Sequence, residues 1–248
     1  MLACLFAVVL VWQEPDPKPA PARAPDAVPA PKVVEAWDDK VAKAAVDAFA
    51  AAMKGSPSMA QKNQALEGLA TGSNALLVKP LADVAEKDKS LVIQRRAAEL
   101  LANQPVKAAN PVIRKLLKSE RLADKPSVVG DLVRALAKCG YDEKQWNDVA
   151  VLLERDYRPE CIPLHEAVLE LVTKHKERQA LPMLLRNIDE PAPDNEHDAS
   201  NPPKEYWEAR WKSWSAWKGK VKDALFAITG QRFSTSAEAK TWLEANRK

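Results

Sequence analysis

Leu66, Leu101, Leu136 and Leu171 recur at intervals of 35 residues, and Ala98, Val133 and Val168 precede the last three of them by three positions. Three positions is close to one helical turn, so each such pair shares a helix face. A second set of helical runs has its own register, starting at Pro80, Pro111, Asn147 and Pro182, with intervals of 31, 36 and 35 residues. Two helices per repeat of this length is the pattern of an α-solenoid, in which each hairpin buries its apolar face only by stacking on the next. No other feature of the chain restricts its fold as tightly.

The rest of the body agrees with that reading. From residue 33 onward Ala, Leu, Lys and Glu dominate, strand alternation is absent, and the fold class expected is all-α. Breaks fall at Gly55-Ser56-Pro57-Ser58, Thr71-Gly72-Ser73-Asn74, Cys139-Gly140-Tyr141-Asp142 and Arg158-Pro159. Helices are expected near 35–54, 58–71, 75–87, 90–104, 106–119, 127–139, 144–155, 160–176, 178–188, 204–229 and 236–246.

Two segments precede the body. Residues 2–12, LACLFAVVLVW, form an apolar run of 11, the length of a signal-peptide core and short of the roughly 20 residues that span a bilayer. Residues 14–32 carry seven Pro and almost no large apolar side chain, the composition of an extended tether. The expected organisation is an apolar segment 1–13, a Pro/Ala-rich linker 14–32, repeats over 33–188, an acidic Pro-rich loop 189–203 and a Trp-rich cap 204–248. Export to the periplasm or cell envelope follows from this layout, with membrane contact only through the first segment if it is not cleaved.

Within the body, Ala180-Leu181-Pro182-Met183-Leu184-Leu185-Arg186-Asn187-Ile188-Asp189 resembles the first helix of a HEAT repeat. Val92-Ile93-Gln94-Arg95-Arg96-Ala97-Ala98-Glu99-Leu100-Leu101 resembles the second. Ala224 to Phe233, followed by Trp242, resembles the C-terminal end of exported bacterial HEAT-repeat proteins. The resemblance covers roughly residues 36–247 and implies a right-handed α-solenoid of about five HEAT-like hairpins. It also implies a binding scaffold, the usual role in that family. The Ala-rich first pair, about 35–71, departs from the pattern.

Five of the eight Trp stand at 207, 211, 214, 217 and 242. At about 100° per residue Trp207, Trp211 and Trp214 share a stripe, Trp217 flanks it, and Val221, Leu225 and Ile228 continue it. One reading is a capping helix that seals the core with buried Trp211 and Trp214. The other is an exposed platform for carbohydrate or peptide. Lys212, Lys218, Lys220 and Lys222 interleave with the rings, but 37 basic against 34 acidic residues, a net charge of +3, makes too weak a field for a nucleic-acid partner.

The remaining chemistry is sparse. The loop DEPAPDNEHDASNPP, 189–203, carries five carboxylates, read as a solvated loop with metal or partner contact as the alternative. Cys139 and Cys161 fall at opposite ends of parallel helices, so free buried thiols are expected. His165, His175 and His197 make no paired-ligand motif, and there is no GxSxG, Walker loop or CxxC. No cofactor or metal is expected.

These features favour a non-enzymatic scaffold that binds another protein, with Arg95, Arg96, Arg134 and Glu170 as contacts on or near a concave face of second-type helices. The rivals are an envelope carbohydrate-binding module using Trp207, Trp211, Trp214 and Trp217, and an enzyme with a site between the 189–203 loop and that face.

Overall fold

The structure, a computed structural model, describes residues 33–193 and 199–246. The apolar run, the Pro-rich segment to residue 32, Cys4, His197 and the middle of the acidic loop lie outside the described residues. The described chain is all-α apart from two short strands. Its helices are α1 (Asp39–Ala52), α2 (Met59–Glu67), α3 (Ala75–Lys87), α4 (Leu91–Leu101), α5 (Val106–Leu117) and α6 (Pro126–Lys138). They continue as α7 (Trp146–Ala150), α8 (Ile162–His175), α9 (Leu181–Arg186), α10 (Lys204–Thr229) and α11 (Ser236–Ala245). Among the described residues no helix is long and apolar enough to cross a membrane.

Local chemistry sets the ends of these helices. Asp38 accepts from the Val41 amide and starts α1 at residue 39, not 35. Ser58 and Gln61 form a reciprocal capping box on α2. The Asn74 side chain accepts from the Leu76 amide at the start of α3 and donates to Trp37 O and Asp39 Oδ1, tying the first hairpin to the second. Gly230, at φ +73°, closes α10 in a left-handed conformation that an L side chain resists.

Two expectations at the N-terminal end need correction. Glu35–Ala36 is a strand, β1, paired in parallel with β2 (Gly72–Ser73), where the sequence reads as helix and turn. Gly72 permits it: a Cβ there would sit 2.4 Å from the Trp37 ring.

The seventh helix is also shorter than its period predicts. Instead of running over 144–155, α7 ends at Ala150 and the chain turns through 151–158. The Asp156 carboxylate accepts from both the amide and Nε of Arg158, a local side-chain turn that competes with helical hydrogen bonding.

The helices pack in order. In one row α4 lies against α2 and α6, α6 against α8, and α8 against α10. On the other side α3 lies against α1 and α5, and further along α9 meets α10 and α11. From α2 to α8 in the first row, and from α1 to α5 in the second, each contact joins helices about one sequence period apart.

Helix α6 sits deepest. Val128 to Val133 and Ala135 to Ala137 are all buried, and the recurring leucines Leu66, Leu101, Leu136 and Leu171 are fully buried in the same core. Gly130 makes this depth possible, because a Cβ at that position would lie 3.2 Å from Leu164 Cα and 3.3 Å from Pro163 O. Alanine would gain roughly 1 kcal/mol in helix propensity but would press on backbone atoms, and such overpacking costs about 1–3 kcal/mol. Gly130→Ala should therefore lower stability by roughly 1 kcal/mol in urea denaturation. An unchanged or raised midpoint would show that α6 and α8 separate without penalty.

Candidate functional site

The face built by α4, α6, α8 and α10 holds all four charged residues that the sequence singles out. Arg95 Nε donates to Asp131 Oδ2 at 2.7 Å, and Arg134 Nη1 reaches Asp131 Oδ1 at 3.2 Å. Arg134 Nε then donates to Glu170 Oε2 at 3.0 Å, and Lys220 Nζ donates to Glu170 Oε1 at 2.9 Å. Four successive helices are thus linked by one alternating chain of charges. Arg96 stands beside it and bonds Glu67 at 2.6 Å and Glu99 at 3.1 Å.

Asp131 anchors the chain. Its side chain is 5% exposed while that of Arg95 is 47% exposed, so the carboxylate lies in the core and its partners reach toward solvent. The hydrogen bond and charge of Asp131 raise the Arg95 guanidinium above its ordinary value. Partial burial pushes the Glu170 carboxyl up, but the hydrogen bonds and charges of Lys220 and Arg134 outweigh it and leave the group below the usual range. The sequence candidates are therefore brought together on one face, and they are engaged with one another. Sequence reading passes over Asp131, although it stands 36 residues after Arg95, one period on, and notes Lys220 only as a lysine interleaved with the Trp rings.

Helix α10 divides the Trp series. Trp214 and Trp217 are buried with Val221, Ala224 and Leu225, whereas Trp211 is 46% exposed and Trp207 is partly covered. The expectation that Trp211 is buried is corrected. The face against α8 is centred near Trp217 and Val221, and Trp211 lies roughly 120° round the helix from Trp217 at about 100° per residue. Trp214 and Trp217 are accordingly core residues with no ring face open to a sugar. Trp211 Nε1 donates to Glu190 Oε1, and Trp207 and Arg210 line a cleft of about 820 Å³ between α9, α10, α11 and residues 189–193.

His165 lies beneath α10, 1% exposed, in ring contact with Tyr157 and Trp217. Burial lowers its pKa to about 4, with the Asp156 backbone and carboxylate opposing. It is a neutral packing group. The Tyr157 phenol is likewise pushed up by burial, to about 12.

Cys139 and Cys161 are free and buried, as expected. Burial raises both thiols, Cys161 to about 11. Among the described residues no group of three or more His, Cys, Asp or Glu is placed to hold a metal ion.

No protein-family model, curated protein or solved structure matches the chain.

Two measurements check these assignments. Trp217→Ala should cost about 3–5 kcal/mol of stability, as large-to-small core changes do, and Trp211→Ala less than about 1. Equal losses would refute the assigned rotation of α10. For His165 the unfolded state binds the extra proton between its ordinary pKa, near 6.5, and the folded value of about 4, so stability falls as pH drops through that window. The loss should approach roughly 3 kcal/mol, and His165→Asn should flatten that limb of a stability-pH curve.

Proposed function

We propose that this chain is a non-enzymatic protein-binding scaffold of the cell envelope, built from HEAT-like helical hairpins stacked as a right-handed α-solenoid. One observation carries the reading: side chains one sequence period apart bond to each other from helices and connections alike. Arg95–Asp131, Arg114–Asp148, Asn110–Gln145, Arg134–Glu170 and Tyr141–Glu177 are separated by 36, 34, 35, 36 and 36 residues. Nearest-neighbour coupling of this kind is what a repeat array uses to hold an extended surface rigid. Such an array serves binding, because its long row of second-type helices offers a large preformed face.

Export is the companion proposal, supported by the apolar run and Pro-rich tether of the first 32 residues. The same face supplies the partner surface. On α4 the exposed Val92 stands three and four residues from Arg95 and Arg96, so these side chains cluster on one helix face.

A second reading keeps one supporting observation. Trp211 is exposed and Trp207 lines the large cleft beside α10, an arrangement on which a carbohydrate ring can stack.

Envelope extract passed over the immobilised full-length chain separates the two. The scaffold should retain one protein saturably, and Val92→Glu should weaken retention by roughly tenfold or more without changing the thermal midpoint. Retention of wall polysaccharide alone, lost in Trp211→Ala, would overturn the scaffold in favour of the sugar binder. Retention of nothing would count against both.

A further inference from the structure

A cavity lies beside the early end of α7, between two successive hairpins. Where the period calls for helix through residue 155, the chain turns away after Ala150, and a space of about 180 Å³ lies between the α5–α6 connection and the α7–α8 connection. Its apolar lining is Leu117, Leu122, Val129, Leu152, Leu164 and the thiol of Cys161, all of them buried core residues. A dry apolar cavity of roughly 150 Å³ accepts a benzene ring, so this one fits a single Phe or Leu side chain.

The mouth of the cavity has a definite charge pattern. Lys118, Arg155 and Arg158 stand there with Glu120 and Asp156. Lys118 is held by Asp148 at 2.6 Å and Arg158 by Asp156 at 2.6 Å. Arg155 is exposed and makes no ion pair among the described residues, whereas Lys118 and Arg158 on the same rim are already held by carboxylates. An unpaired guanidinium beside an apolar hole suits a carboxylate carried next to an apolar group, since Arg offers a planar fork of donors.

We propose that this cavity is an anchor site for an acidic peptide segment of a partner protein, with one aromatic or Leu side chain inserted and a neighbouring carboxylate on Arg155. The proposal rests on the scaffold reading and gives it a second contact point away from the charged face. On the floor, burial and the neighbouring Asp156 carboxylate keep the Cys161 thiol protonated, and Asp156 itself is engaged by Arg158. The broken period supports the assignment too, because natural folds depart from their own regularity mainly where a site requires it. Glu120 on the same rim sets the direction, since a peptide carboxylate is repelled there and attracted at Arg155.

The test uses the full-length chain and a fluorescein-labelled pentapeptide, a central Phe between two pairs of Glu, followed by fluorescence anisotropy. Saturable binding is expected. Replacing the central Phe by Ala or the Glu by Gln should each weaken it by roughly tenfold. Arg155→Glu should weaken it at least as much with an unchanged circular dichroism spectrum, and Arg155→Lys should restore part of it. No binding up to millimolar peptide, equal binding by Arg155→Glu, or equal binding of the Gln peptide would each overturn the proposal. The scaffold reading fails separately, through loss of the retained envelope protein or its indifference to Val92→Glu.

Discussion

Asp131 is the group on which the arrangement of the helices turns. A carboxylate in the core is costly unless its charge is met, and here Arg95 and Arg134 meet it from α4 and from one turn further along α6. Arg134 then meets Glu170 on α8, and Glu170 meets Lys220 on α10. The buried anion therefore sets where the next three helices place their charges. Beneath it Gly130 removes the side chain that would hold α6 off the start of α8. The close approach and the charge chain are two sides of one constraint.

Much of this was legible in the sequence because it recurs. Leucines at a 35-residue interval reveal the core face of each second-type helix, and the structure buries all four. Prolines and Gly-Ser-Asn clusters mark most helix ends to within a few residues. A polar signal was equally present, since Arg95–Asp131 and Arg134–Glu170 keep almost the same interval. A search confined to apolar positions passes over it.

What escaped the sequence depended on contacts without period. Helical spacing places the Trp on α10 relative to one another, but only packing against α8 decides which ring points inward. Trp211 and Trp217 exchanged roles for that reason. The turn after α7 carries a bond from the Arg158 amide to the Asp156 carboxylate, a local contact that apolar periodicity does not register. The pairing of β1 with β2 requires Trp37 to lie over Gly72, a contact between residues 35 positions apart.

Self-satisfaction of the charged face also limits what can bind there. Arg95, Asp131, Arg134, Glu170 and Lys220 alternate in sign and already hold partners, so an incoming peptide must displace an internal ion pair to gain one of its own. Exchanges of that kind are close to neutral in free energy for half-exposed pairs. Affinity must then come from apolar surface and from charges without partners. The face supplies the first at Leu91 and Val92, and the cavity beside the end of α7 combines a partly apolar lining with the exposed Arg155. On the proposed scaffold reading, the helical rows form the frame, and the proposed anchor site falls where their period is interrupted.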